Sequence, residues 1–437
     1  MRRFLDFARN DKMGARNDKM GSRNDNDMKK LLQINPVIRT NTSTGRIMQE
    51  IGELAMANGW ESYIAYSGGR DGIKPCKSKL IPVGGKLSVA LHGIWTRLTD
   101  RHGLASVIAT RRFVKRIKEL KPDVIHIHNI HGYFLNYKIL FDYLSHAGIP
   151  VIWTVHDCWL YTGHCNHYAR VGCDKWMTQC ESCPQKSAFP ASLLLDNSRR
   201  NYNDKKRLFT SIPDLTIVTV SEWMRGEMSR SFLKDCRYQV IHNGIDLEVF
   251  KRSEESSDVR NRYGLGDKHV ILGVTSIWCR EKGLDDFIQM SSLLLEDEVI
   301  VLVGVSDKQM AVLPVNVIGV PRTENVRQLA SLYSAATALV NPTWQDNYPT
   351  VNLEAIACGT PVITYRTGGS VESICEDTGT IVEQGDVQGL LDAFRKIKEA
   401  GEHAYASLCR KYALEHFGKS DRYREYLDLY QSKINIK

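Results

Sequence analysis

The chain has 437 residues, 43% of them hydrophobic and 25% charged, with a formal net charge of +8. No run of about eighteen apolar residues is present, so no membrane-spanning helix is expected, and the composition is that of a globular chain with two or three domains. The mild positive charge permits an anionic partner, but no RNA- or DNA-binding motif accompanies it, so nucleic acid is not an expected partner.

Residues 1–27 read as a disordered or foreign leader, because Ala8-Arg-Asn-Asp-Lys-Met-Gly14 returns as Ala15-Arg-Asn-Asp-Lys-Met-Gly21 and then decays. The repeat has no apolar seam of the coiled-coil kind, and the start has charges but no apolar core of a secretory signal. The folded chain is expected to open at Met28. An odd count of 11 cysteines in a long chain without an export signal points to a reduced, cytoplasmic setting.

A strand over Leu31 to Ile34 leads through a polar loop containing Thr44, Gly45 and Arg46 into a helix from Ile47 to Asn58. A strand from Glu61 to Tyr66 and the pair Gly68-Gly69 follow. This order is Rossmann-like, although the Gly-x-Gly-x-x-Gly dinucleotide fingerprint is absent. Ala109 to Leu120 reads as a basic helix with Arg111, Arg112, Lys115, Arg116 and Lys118. It suits a solvated surface and an anionic membrane surface equally. A strand with His126 and His128 at period two comes next, then a helix near Tyr137 to Ala147 and a strand from Val151 to Val155 ending in His156-Asp157. A histidine at the C-terminal end of a parallel strand stands on the ligand side of the sheet.

Cys165, Cys173, Cys180 and Cys183 then follow in the spacing C-x7-C-x6-C-x2-C, with Cys158 just upstream. Four thiolates satisfy tetrahedral zinc, and Cys180-x-x-Cys183 has a metal-knuckle spacing. A structural zinc is the expectation, with His164 and His167 as reserve ligands; the other reading is a set of unrelated thiols. A helix from Leu193 to Phe209 and strands at Leu215 to Val220 and Tyr238 to Ile241 complete this half. The chain thus divides into an N-terminal Rossmann-like domain over 28–245 with a cysteine-rich insertion at 158–184, and a linker over 246–267. A second Rossmann-like domain over 268–417 follows, and a terminal helix over 418–437 packs back on the first domain.

In the second half a strand from Val270 to Thr275 runs into a loop with Arg280 and Lys282, where two cations suit a diphosphate. The densest pattern lies between Asn341 and Gly369. A strand (Ala338 to Val340) feeds a polar loop with Asp346, and a helix from about Thr350 to Cys358, with Thr350 as its N-cap, carries Glu354. Gly359 and Pro361 end that helix, and a strand to Tyr365 runs to Gly368-Gly369. Asp346 and Glu354 then face one cavity at the sheet's ligand edge.

Taken together, Asn243-Gly-Ile-Asp246, Lys282-Gly283-Leu-Asp285, Asp346-x7-Glu354, Ala357-Cys-Gly-Thr-Pro-Val362 and Gly368-Gly369 resemble the retaining glycosyltransferases of family 4. The stretch from His126 to Pro184 is similar to colanic-acid-type exopolysaccharide and O-antigen transferases. The resemblance implies the GT-B fold, an α/β arrangement of two Rossmann-like domains facing across a cleft. It implies transfer of a sugar from a UDP- or GDP-sugar donor to a lipid-linked or oligosaccharide acceptor, with no catalytic metal and with peripheral association at the anionic inner membrane. By the same resemblance Arg280 and Lys282 hold the diphosphate, and Glu354 receives the ribose hydroxyls. Asp346 and the backbone of Asn347, Tyr348, Pro349 and Thr350 meet the sugar and diphosphate, His156 stands at the reaction centre, and Gly45 lets the backbone approach a substrate. Two positions depart from the family pattern: Asp346 is one methylene shorter than the usual Glu, and the usual phosphate-binding arginine position holds Ile277, with Arg280 as a substitute. The alternative readings are a nucleotide-sugar 2-epimerase and a non-catalytic nucleotide-sugar-binding protein.

Overall fold

A computed structural model describes residues 28–39, 42–69 and 76–435; the repeat leader lies outside them. The first sheet is built from β1 (Lys29–Ile34), β2 (Trp60–Ser67), β3 (Lys79–Val83), β4 (Val124–Ile127), β5 (Val151–Val155), β6 (Leu215–Thr219) and β7 (Arg237–Val240), in the order β3-β2-β1-β4-β5-β6-β7. The second is built from β8 (His269–Val274), β9 (Glu298–Val303), β10 (Val317–Val320), β11 (Ala338–Asn341), β12 (Val362–Tyr365) and β13 (Gly379–Val382), in the order β10-β9-β8-β11-β12-β13. Every strand pair is parallel. Central strands such as β5 and β9 are buried along their whole length, as expected of a parallel sheet covered by helices on both faces. This is the two-domain α/β architecture of the GT-B fold.

In each sheet the strand order reverses next to the first strand, between β1 and β4 and between β8 and β11. Loops leaving such a switch point diverge and open a crevice beyond the strands' C-terminal ends. The two crevices face one another, because a single cleft is lined by residues following β1, β5, β8 and β11.

The chain crosses between the domains twice, and the crossings are tied together. Ile245 and Gly418 form a parallel bridge, with Ile245 N donating to Phe417 O (2.8 Å) and Lys419 N donating to Ile245 O (2.9 Å). Lys419 Nζ reaches Asp246 Oδ2 (2.7 Å) and Glu50 Oε1 (2.9 Å). A side chain at Gly244 would stand 2.6 Å from Lys419 Cα, so the crossing needs a glycine there. The last helix, Lys419–Asn435, buries Tyr423, Tyr426 and Tyr430 in a core with Leu31, Ile47, Val124, Ile152 and Val218 of the first domain. Tyr430 OH lies 2.6 Å from His126 Nδ1, and Thr154 Oγ1 donates to Tyr426 OH at 3.1 Å.

Four elements differ from the sequence reading, the first being the opening helix, which begins at Ser43 and takes Thr44, Gly45 and Arg46 out of the loop. The helix expected from Leu193 begins at Ser198 instead, leaving Leu193, Leu194 and Leu195 in an exposed loop. Pro349, not Thr350, occupies the cap position of the Thr350–Ala357 helix, since proline suits the non-helical residue ahead of the first turn. A helix over Lys86–Thr99, unanticipated from the sequence, follows β3.

Candidate active site

On the C-terminal side of the cleft, the loop after β11 is shaped by what presses on it. Cβ atoms built at Gly368 (φ +50°) and Gly369 would lie 2.0 Å from Asp346 O and 1.9 Å from Asn347 O. Only glycine lets that backbone approach the loop so closely, and Gly369 N donates to Asp346 O at 3.2 Å. The loop thereby turns the Asp346 carboxylate toward Lys282, whose Nζ lies 2.6 Å from Asp346 Oδ2. Lys282 ends a single 3-10 turn, Arg280–Lys282, and the chain leaves it through Gly283 at φ +75°, where a Cβ would meet Pro342 O at 2.3 Å. Asp346 and Lys282 remain partly exposed to the cleft.

Glu354 is 4% exposed, and both of its oxygens are engaged. Oε2 accepts from Tyr333 OH (3.0 Å), and Oε1 accepts from Arg46 Nη2 (2.8 Å), across the cleft from the first domain. Burial works against the Arg46 charge, but the Glu354 carboxylate outweighs it and raises the guanidinium's pKa. Arg46 was not singled out from the sequence. Its signal is electrostatic: an arginine in the first turn of the Ser43–Ala57 helix sits at the positive dipole end and needs an acidic partner from elsewhere.

On the N-terminal side, His156 follows β5 and lines the cleft. Its Nε2 lies 3.1 Å from His128 Nδ1, and His128 Nε2 lies 3.1 Å from Gln33 Oε1, so a chain of rings runs from the cleft into the sheet. Burial depresses the His156 pKa to about 4, keeping the ring neutral at neutral pH. Beside it, Asp157 Oδ2 is 2.6 Å from His131 Nε2. Burial opposes the Asp157 charge, but His131 and further hydrogen bonds hold its pKa at about 2. Asn347 joins the two sides by donating from Nδ2 to His156 O (2.7 Å), while its own Oδ1 is buried without a partner.

The structure brings together His156, Lys282, Asp346, Asn347, Tyr348, Pro349, Thr350 and Glu354 around one cleft of about 1690 Å³. It does not bring Arg280 there: Arg280 is exposed, with Nε 3.5 Å from Asp285 Oδ2. The cations that do line the cleft are Arg39, Arg46, Lys282, Lys308 and Arg322, and Ile277 lines it as well. Gly45 lies one residue away from lining residues, and its smallness answers a packing need, since a Cβ would stand 2.2 Å from Arg39 O.

Cys165, Cys173, Cys180 and Cys183 line a second, small pocket of about 20 Å³ together with His164. His164 is buried, its Nδ1 held 2.5 Å from Asp100 Oδ1 and its Nε2 without a partner. Among the described residues no three His, Cys, Asp or Glu side chains are drawn into a metal-ligand set. Gly163 N donates to Cys180 Sγ at 3.2 Å. The insertion touches the other domain through Arg170 Nη1, 2.7 Å from Glu281 Oε1.

Two family models match the chain: "Glycosyltransferase Family 4" over residues 44–249 and "Glycosyl transferases group 1" over residues 268–399. The colanic acid biosynthesis glycosyl transferase WcaC of Escherichia coli (strain K12) is 25% identical over 276 residues, 62% of this chain and 66% of that protein. The D-inositol 3-phosphate glycosyltransferase 1 of Catenulispora acidiphila is 28% identical, over 45% of this chain and 52% of its own length. The chain therefore spans less than two thirds of each of these relatives. Among solved structures, the sucrose-phosphate synthase of Thermosynechococcus elongatus superposes with a TM-score of 0.70 at 17% identity, covering 94% of this chain and 100% of that one. HepE of Anabaena, solved in complex with UDP, superposes at 0.63 and 16% identity, covering 93% and 100%.

Proposed function

The chain belongs to the glycosyltransferases of the family 4 and group 1 type with the GT-B fold, and from that premise we propose that it moves a sugar from a nucleotide diphosphate donor to a glycan or lipid-linked glycan, with retention of anomeric configuration. The observation that carries the reading is the facing of two switch-point crevices around Lys282, Asp346, Glu354 and His156. The setting we propose is cytoplasmic synthesis of a surface polysaccharide, in keeping with the likeness to WcaC.

Lys282 meets the diphosphate and the charge that grows on it as the sugar departs, a role in which a fixed cation outperforms water. Glu354, held by Arg46 and Tyr333, keeps lone pairs for the ribose hydroxyls. The amides opening the Thr350–Ala357 helix add a positive dipole end. The unpartnered Asn347 Oδ1 accepts from a sugar hydroxyl, and Asp346 turns from Lys282 to the sugar as donor enters. In the reaction the bond from the anomeric carbon to the phosphate oxygen breaks and the acceptor oxygen bonds to the same face. The acceptor proton passes to the leaving phosphate, releasing a nucleoside diphosphate. Neutral His156 stands beside the anomeric centre as a hydrogen-bond donor or acceptor without adding charge.

The test is donor turnover with UDP- and GDP-sugars and the released nucleotide as readout. Nucleotide release that disappears in Glu354→Ala supports the reading. Binding without turnover makes the chain a sensor, and interconversion of donor epimers makes it an epimerase. We also propose that Cys165, Cys173, Cys180 and Cys183 hold a structural zinc, a reading supported by the one small pocket that all four line. Metal analysis of purified protein then finds about one zinc per chain, and folded, zinc-free protein removes the assignment.

A further inference from the structure

The Lys86–Thr99 helix is turned inside out. Its buried residues are His92, Gly93 and Thr96, whereas Leu87, Leu91, Ile94, Trp95 and Leu98 are 73%, 57%, 54%, 49% and 45% exposed. At about 100° per residue these five side chains fall within one arc of about 100°, the width of a stripe that ordinarily faces a core. No element of the described chain covers it. The inverted packing is held in place rather than loose: His92 Nδ1 lies 2.9 Å from Ser106 Oγ, and Gly103 N donates to His92 Nε2 at 3.2 Å.

Two further apolar segments extend the stripe. Leu193 N donates to Arg97 O (2.7 Å), which seats the exposed Leu193, Leu194 and Leu195 beside the end of the helix. Ser88 Oγ and Ser106 Oγ, 3.3 Å apart, seat the start of the Val107–Leu120 helix beside its beginning, where Ile108 is 68% exposed. That second helix presents Arg111, Arg112, Lys115, Arg116 and Lys118 to solvent, against Glu119 as its one acidic residue.

We propose that this face docks on a lipid surface bearing anionic headgroups, with the apolar side chains of Lys86–Thr99 and Leu193 to Leu195 entering the headgroup boundary and the basic helix lying against the phosphates. An amphipathic helix with a cationic flank binds a membrane by adding apolar burial to electrostatic attraction. The inference rests on the proposed transfer to a lipid-linked acceptor.

The experiment is co-sedimentation of the full chain with vesicles of phosphatidylcholine alone or mixed with phosphatidylglycerol, across salt concentrations. Wild type binds the mixed vesicles, Leu91→Glu/Trp95→Glu lowers the partition at least about tenfold at every salt concentration, and Arg111→Glu/Arg112→Glu lowers it chiefly at low salt. Thermal melts check that these surface variants fold, and nucleotide release from donor in vesicle-free buffer is measured alongside. Loss of vesicle binding with unchanged release supports the docking face. Unchanged vesicle binding in Leu91→Glu/Trp95→Glu overturns it, as does a wild-type dimer in light scattering that this variant splits without altering vesicle binding. Absence of donor turnover in wild type that still binds vesicles through this face overturns the transferase reading alone.

Discussion

On the C-terminal side of the cleft the functional groups come from one stretch, Asp346 to Glu354, braced by Gly368 and Gly369 and met by Lys282. On the N-terminal side they come from places far apart: Arg46 from the first helix, His128 after β4, His156 and Asp157 after β5. The first side is built around one continuous stretch, whereas the second exists only once three chain segments have assembled.

Acid should separate the two sides most strongly. Among the described residues, the histidines held below their ordinary pKa are His92, His102, His126, His128, His156 and His167, all in the N-terminal domain, and burial is the leading cause for each. The unfolded chain takes up these protons below about pH 6.5 while the folded chain refuses them. Stability is thus whole above about pH 6.5 and falls toward pH 4. Buried His92 and His156, both at about 4, contribute about 3 kcal/mol each to that loss. Thermal melts from pH 7.5 to 4 should lose the N-terminal domain first, and a melt that is flat across this window would falsify the neutral-histidine account.

Next in size is Lys282→Ala, expected to lower nucleotide release about a hundredfold, the scale of losing one preorganised charge stabiliser. His156→Ala should cost about tenfold in kcat, roughly 1.4 kcal/mol, while donor affinity holds. If both variants changed donor affinity alike, the division between a donor side and a reaction-centre side would be wrong. Arg46→Met should lower stability by about 1–3 kcal/mol, because it strands a buried carboxylate with Tyr333 alone; denaturant unfolding measures it. Arg170→Ala, which breaks the partly exposed pair with Glu281, should change stability by less than about 1 kcal/mol.

Asp346, Glu354, Lys282 and His156 were legible in the sequence because their signals are local: a strand end, a helix start, a glycine that no other residue replaces. Arg280 carries the same local signal and lies outside the cleft, because a single 3-10 turn sends Arg280 and Lys282 in different directions. Arg46, Asp157 and His131 were missed because their partners lie on other elements.

The alternation of apolar runs with helical periods and glycine turns determined two parallel-sheet domains and the strand–loop–helix–strand unit from Ala338 to Tyr365. Tertiary structure alone decided which way each amphipathic face turns. Periodicity gives the Lys86–Thr99 helix an apolar side, but His92 and Ser106 decide that this side looks outward. In the same way, the bridge between Ile245 and Gly418 brings Arg46 to Glu354 over a separation of 308 residues. A local pattern records the cost of each residue's own conformation, and a contact between distant segments leaves no such record.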